Sequence, residues 1–151
     1  MLDELRVHVR AKLAALWASA TLCYLYGDFI AFYSPGALTM ISDGRMGPLQ
    51  ITQLVLLGVA VIMAFPAVMV VLSLILPAPW SRLLNIVAGT IYTAIMLTTM
   101  VGAWAGSSYF YIYLGVVEVA LTSCAVWYAV KWPKQSNQRG LEYATSGQAI
   151  R

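Results

Sequence analysis

Charge is scarce in this sequence: 10% of its 151 residues are Asp, Glu, Lys or Arg, where an ordinary soluble domain carries about 25%. One histidine, two cysteines and six acidic residues leave little material for a metal centre, a redox pair or a nucleophilic triad. Cys23 and Cys124 form no CxxC, and their expected depths in the membrane differ by more than a disulfide spans, which argues against thiol redox chemistry. His8 precedes the first apolar run, so no haem or metal ligand set is expected within the membrane, and no cofactor is expected at all. Gly-rich phosphate loops, serine elbows and HExxH are missing.

What is present is apolar. Hydrophobic residues make up 61% of the chain, above the roughly 45–50% of soluble domains, and they fall into runs long enough to cross a bilayer. About 20 helical residues suffice for that. Leu13–Ser34 holds a single charge, Asp28, and is the first predicted span. Ala18-Ser19-Ala20 resembles a cleavage site, but apolar character continues well beyond it, so an uncleaved anchor is expected. No charge lies between Arg45 and Arg82, and Gly47-Pro48 and Pro77-Ala78-Pro79 bound the second span, about Ile51–Leu76. Pro66 lies near its middle, where it removes a backbone hydrogen bond and frees a carbonyl that a neighbouring helix must satisfy. The uncharged stretch after Arg82 is too long for one crossing and is divided at Gly106-Ser107-Ser108 into spans at about 83–105 and 109–130. The expected fold is all-α: four transmembrane helices in an up-down bundle, forming a domain over 13–132.

Basic residues are retained on the cytoplasmic side. With both termini inside, Arg6, Arg10, Lys12, Arg82, Lys131, Lys134, Arg139 and Arg151 share that side and only Arg45 lies outside. This bias accounts for the net charge of +3 and makes the lipid bilayer the partner rather than nucleic acid; the expected location is a plasma (inner) membrane. Residues 1–12 set Leu2, Leu5 and Val9 on one face, as a short amphipathic segment on the cytoplasmic surface. The polar stretch 133–151 lacks periodicity and is expected to be a disordered tail. Trp17, Trp80, Trp104, Trp127, Trp132, Tyr33, Tyr109 and Tyr111 fit interfacial aromatic belts. The outer loop at about 35–50 carries turn signals and could fold over the outer mouth. A short echo, Leu57-Gly58-Val59 and Leu114-Gly115-Val116, would allow paired helical hairpins.

The functional signal lies in polar groups inside the spans. Glu118 falls near the midplane of span four, where an ionised carboxylate costs roughly 2.5–3.5 kcal/mol on insertion scales, so it should face the bundle interior or a wet cavity. Tyr111, Leu114, Gly115, Leu121 and Thr122 share its face. It suits a proton acceptor, the counter-ion of a cationic ligand, or a neutral hydrogen-bonding group. Asp28 lies about six residues below the outer end of span one; with Gln53, Tyr24 and Tyr92 it could line an outer vestibule, or simply sit near water. Asn85, Gly89, Tyr92, Thr93 and Met96 form one face of span three, while Ala60, Ala64 and Ala67 and the Gly102/Gly106 pair offer close-packing faces, within the bundle or in a homo-oligomer.

Lys12-Leu13, Tyr26-Gly27-Asp28, Ile51-Thr52-Gln53, Phe65-Pro66, Asn85–Ile91, Val117–Ala120 and Trp127–Pro133 together resemble a family of small bacterial four-helix membrane proteins of unknown function. The resemblance covers about 12–133 and implies the fold but no activity. That family often carries an acidic residue two places before the span-two proline; here the position is Ala64. Three functions are then weighed: a module binding or transporting a small amphiphilic or cationic ligand, a structural or accessory protein, and a lipid-modifying enzyme, for which one central carboxylate is thin support.

Overall fold

The computed structural model describes residues 7–105 and 109–133. His8 starts the first helix, its Nδ1 accepting from the Arg10 amide at 3.3 Å and so satisfying one of the free donors of a helix start. Helix α1 (Val9–Ala31) then runs unbroken. Val9–Lys12 therefore belongs to the first long helix rather than to a separate surface segment, because nothing in Arg-Ala-Lys interrupts helical geometry. Residues 1–6, the turn at 106–108 and the tail from 134 onward lie outside the described residues.

After Ser34-Pro35, Gly36 at φ 79° opens a short helix α2 (Ala37–Ser42). Gly44 and Gly47, at φ 72° and 56°, turn the chain through a minimal hairpin of β1 (Arg45–Met46) and β2 (Leu49–Gln50). α2 buries no residue, and no residue of this loop lines the cavity described below. The expected cover over the mouth is not formed. Helix α3 (Gln53–Ile75) is capped by Thr52, whose Oγ1 accepts from the Val55 amide at 3.3 Å; it stops at Leu76, turned extended by the following Pro77. Helices α4 (Ala78–Ala105) and α5 (Tyr109–Val130) complete the chain. The four long helices are each long and apolar enough to cross a membrane.

Around the bundle, α1 packs on α3 and α5, and α4 on α5; the α3–α4 seam is the sparsest. Close approach comes from glycines on α4 and α5. A Cβ at Gly89 would lie 2.6 Å from Val126 Cγ2, and one at Gly115 would lie 2.7 Å from Met100 Cγ. Gly58, by contrast, meets nothing within 4 Å, so the two halves of the sequence echo occupy unlike environments and no hairpin repeat follows. Ala60, Ala64 and Ala67 face outward, as does Gly102. The small-residue faces that hold the bundle together are those of α4 and α5.

Two polar devices tie α3 to its neighbours. Near one end, Asn85 on α4 accepts from Trp17 Nε1 at 2.7 Å and donates to Ser73 Oγ at 3.1 Å and to the Ser81 carbonyl at 2.8 Å, with all four residues buried. Trp17 thus belongs to the core and not to an interfacial belt, because its N–H finds a buried acceptor. Trp80, Trp127, Tyr33 and Tyr109 are exposed, as a belt requires; the Trp104 side chain lies outside the described residues. The second device answers Pro66. Without an N–H, Pro66 leaves the carbonyl of Ile62, four residues earlier, without its helical donor, and Tyr92 Oη of α4 donates to that carbonyl at 2.7 Å. Phe65 stacks on the same ring at 5.7 Å and Trp17 meets it edge-on at 5.8 Å.

The basic residues gather where α1 begins and α3 and α5 end. Arg10 Nη1 donates to the Leu74 carbonyl at 2.9 Å, and Arg82 Nε to the Ala129 carbonyl at 3.1 Å. Each guanidinium donates to carbonyls in the last turn of a helix and sits at the negative end of that helix's dipole. Lys12 lies over the Tyr128 ring and Lys131 over the Trp127 ring.

The Pro66–Tyr92 pairing makes a measurable statement. Tyr92→Phe is expected to lower unfolding free energy in bilayers by about 1 kcal/mol, within the range of interhelical hydrogen bonds. In a Pro66→Ala background, where the residue-66 amide can serve the Ile62 carbonyl, the same change should have little effect. Equal losses in both backgrounds, measured as a double-mutant cycle, would contradict the assignment.

Candidate functional site

Tyr111, Leu114, Gly115, Glu118 and Thr122 recur at helical spacing on α5 and turn toward the other helices. Thr122 shares a hydrogen bond with Thr93 of α4 at 2.7 Å and reaches back to the Glu118 carbonyl at 2.9 Å. Those contacts, with Gly89, lock α5 onto α4 one turn below Glu118. Above that lock, toward the α2 end, the helices part around a partly open cavity of about 130 Å³.

The cavity wall is assembled from all four long helices. α1 gives Tyr24, Gly27 and Asp28; α3 gives Ile62 and Met63; α4 gives Tyr92, Ile95, Met96 and Thr99; α5 gives Tyr111, Leu114, Gly115 and Glu118. The surface is mostly apolar, with two carboxylates and three phenol rings set into it. Glu118 is 2% exposed, and its Oε2 is a buried atom without a hydrogen-bond partner. Native proteins leave few buried polar atoms unpaired, because each costs about 1–3 kcal/mol. Asp28, three residues before the end of α1, is exposed at the same cavity.

Of the residues singled out in the sequence, Glu118, Asp28, Tyr24 and Tyr92 meet at this one cavity. Gln53 does not line it; it is the exposed first residue of α3. Asn85 lies in the Trp17–Ser73–Ser81 network and Thr122 in the lock with Thr93, both buried and hydrogen-bonded. Tyr111, assigned to an aromatic belt by its nearness to a helix end, lines the cavity instead. Its position seven residues before Glu118 was the signal that placed it on the same face. Among the described residues no group of three His, Cys, Asp or Glu could hold a metal ion, and Cys23 and Cys124 are free thiols.

A ring of four apolar helices around a mostly apolar cavity that holds two carboxylates defines the class: a small helical membrane protein. The chain belongs to the family of unknown function DUF6326, which matches residues 2–138. No curated protein and no solved structure matches it.

An unpaired buried carboxylate is a liability to the fold. Glu118→Leu, which removes the polar atoms and keeps the bulk, is therefore expected to raise unfolding free energy by about 1–3 kcal/mol. A loss of similar size in a bilayer unfolding assay would mean that Glu118 is a structural hydrogen-bonding group.

Proposed function

We propose that the protein binds a small organic cation, a protonated or quaternary amine, with Glu118 as its counter-ion. The observation that carries this reading is the buried, unpartnered Glu118 Oε2 beside a cavity lined by aromatic rings. A cation among Tyr24, Tyr92 and Tyr111 gains from ring quadrupoles as well as from the carboxylate, and cation–π attraction strengthens where water is excluded. Size fits a small head group: a cavity of about 150 Å³ accommodates benzene, and tetramethylammonium has one heavy atom fewer. Asp28 adds negative potential at the exposed side of the cavity and favours approach of a cation.

Alternating occupation of Glu118 by a proton and by the amine would make the same site a transport site. The clustered Arg10, Lys12, Arg82 and Lys131 support placing their end of the bundle on the cytoplasmic face of a plasma membrane, with both termini inside. The outward Ala60, Ala64 and Ala67 favour an additional role in self-assembly; Ala64→Leu should then change the oligomeric state and leave amine binding intact.

Titration of tetramethylammonium into the protein in nanodiscs tests the binding reading. Saturable binding is expected, weakened at least about tenfold by Glu118→Gln and several-fold by Asp28→Asn, with helicity unchanged in both. Equal binding by wild type and Glu118→Gln would remove Glu118 from the site.

A further inference from the structure

The cavity wall is uneven. Glu118, Tyr92, Met96 and Gly115 are buried, whereas Ile62 and Met63 of α3 and Ile95 of α4 line the cavity while also being 49%, 36% and 41% exposed on the outside of the bundle. All three belong to α3 and α4, the sparsely packed pair of neighbours, and the Ile62 carbonyl meets α4 directly through Tyr92. They also sit deep. Ile62 is the tenth residue of the 23-residue α3, and Ile95 stands ten residues before the end of α4, each roughly 13–15 Å along its helix from the α2 end. In a bilayer about 30 Å thick that level is close to the middle, so the seam faces acyl chains and not water.

We propose that the cavity opens sideways into the bilayer between α3 and α4 and takes an amphiphilic cation, its ammonium group at Glu118 and its alkyl chain leaving between Ile62, Met63 and Ile95 into lipid. This rests on the cation reading above and names the ligand class. A cavity of about 130 Å³ is filled by a trimethylammonium group, so a longer chain must pass through the wall. The wall offers apolar, outward-facing side chains at one place where the two helices are not closely joined. Tyr92 fixes the floor of that opening, because its hydroxyl holds the Ile62 carbonyl at the Pro66 break, and α3 and α4 are tied there and again at Asn85. Beyond Tyr92, toward the α2 end, α3 and α4 give the cavity wall Ile62, Met63, Ile95 and the hydroxyl-bearing Thr99.

Chain length distinguishes an open seam from a sealed pocket. Tetramethylammonium and the butyl-, hexyl- and octyltrimethylammonium ions are titrated into wild-type protein in nanodiscs, with partition into protein-free nanodiscs measured in parallel. If the chain remains in lipid, affinity referred to the aqueous concentration rises roughly fourfold per methylene, following transfer of each CH₂ into hydrocarbon. Referred to the concentration in the membrane, it stays flat through octyl. Glu118→Gln should weaken every member at least tenfold. Ile62→Trp and Ile95→Trp, made separately, should lower the ratio of octyl-ion affinity to tetramethylammonium affinity at least tenfold relative to wild type.

A fall in affinity beyond butyl, with tetramethylammonium still bound through Glu118, would overturn the lateral opening and leave the cation site standing. Long chains that bind equally well to both tryptophan variants would also overturn it, by placing the tail elsewhere. Failure of wild type to bind any member, or binding indifferent to Glu118→Gln, would overturn both the opening and the cation site. The chain-length series uses the unaltered protein and does not depend on the folding of any variant.

Discussion

The hydrogen bond from Tyr92 Oη to the Ile62 carbonyl, 2.7 Å long, joins the features on which the site depends. On one side of it lies a defect in α3, the missing amide of Pro66. On the other lies α4, whose Tyr92 ring is packed by Trp17, Tyr24 and Phe65 and forms part of the cavity surface. A carbonyl without a donor in hydrocarbon is costly, so a defect that would loosen α3 if left alone instead fixes it to its neighbour. Because α3 and α4 have few other contacts, the position of this bond sets where the seam is closed and where the cavity starts.

Polar groups are treated differently along the bundle. Toward the basic end, Asn85, Ser73, Ser81 and Trp17 satisfy one another, Thr93 pairs with Thr122, and Arg10 and Arg82 hold the last carbonyls of α3 and α5. Toward the α2 end, Glu118 is buried without a partner for Oε2 and Asp28 is exposed. In a bilayer nothing drives helices together by excluding water from between them, so packing and hydrogen bonds must do that work. One half of the bundle carries it, leaving the other half free to keep a cavity.

Most of the fold was legible in the sequence because length, charge and proline positions act locally: Asp28 and Pro66 interrupt otherwise uniform apolar runs, and Pro77 separates α3 from α4, whose first turn accepts Pro79. The buried face of α4, from Asn85 through Met96, followed from a period of 3.6. Depth alone brings Asp28, Tyr24 and Tyr92 toward one vestibule but does not decide whether Glu118 shares a cavity with Asp28. What depth and period leave open is rotation, since an apolar helix surrounded by lipid can turn nearly any face inward. Ala60, Ala64 and Ala67 form a small-residue face that points out of the bundle and not into it; Trp17, near an expected interface, is buried; Gln53, at the depth of the vestibule, stands aside. Each depends on a partner in another helix: for Trp17 that partner is Asn85, and for α3 it is Tyr92, whose bond to Ile62 sets which face turns inward.

The central claim is that an ammonium group rests on Glu118 between Tyr24, Tyr92 and Tyr111. A crystal structure grown from a lipid mesophase in the presence of (2-bromoethyl)trimethylammonium, with anomalous data at the bromine edge, tests it most directly. The expected result is a bromine peak within the cavity bounded by Glu118, Tyr92 and Ile95, with the nitrogen beside Oε2. A structure in which a neighbouring side chain donates to Oε2 and no bromine lies in the cavity would contradict it.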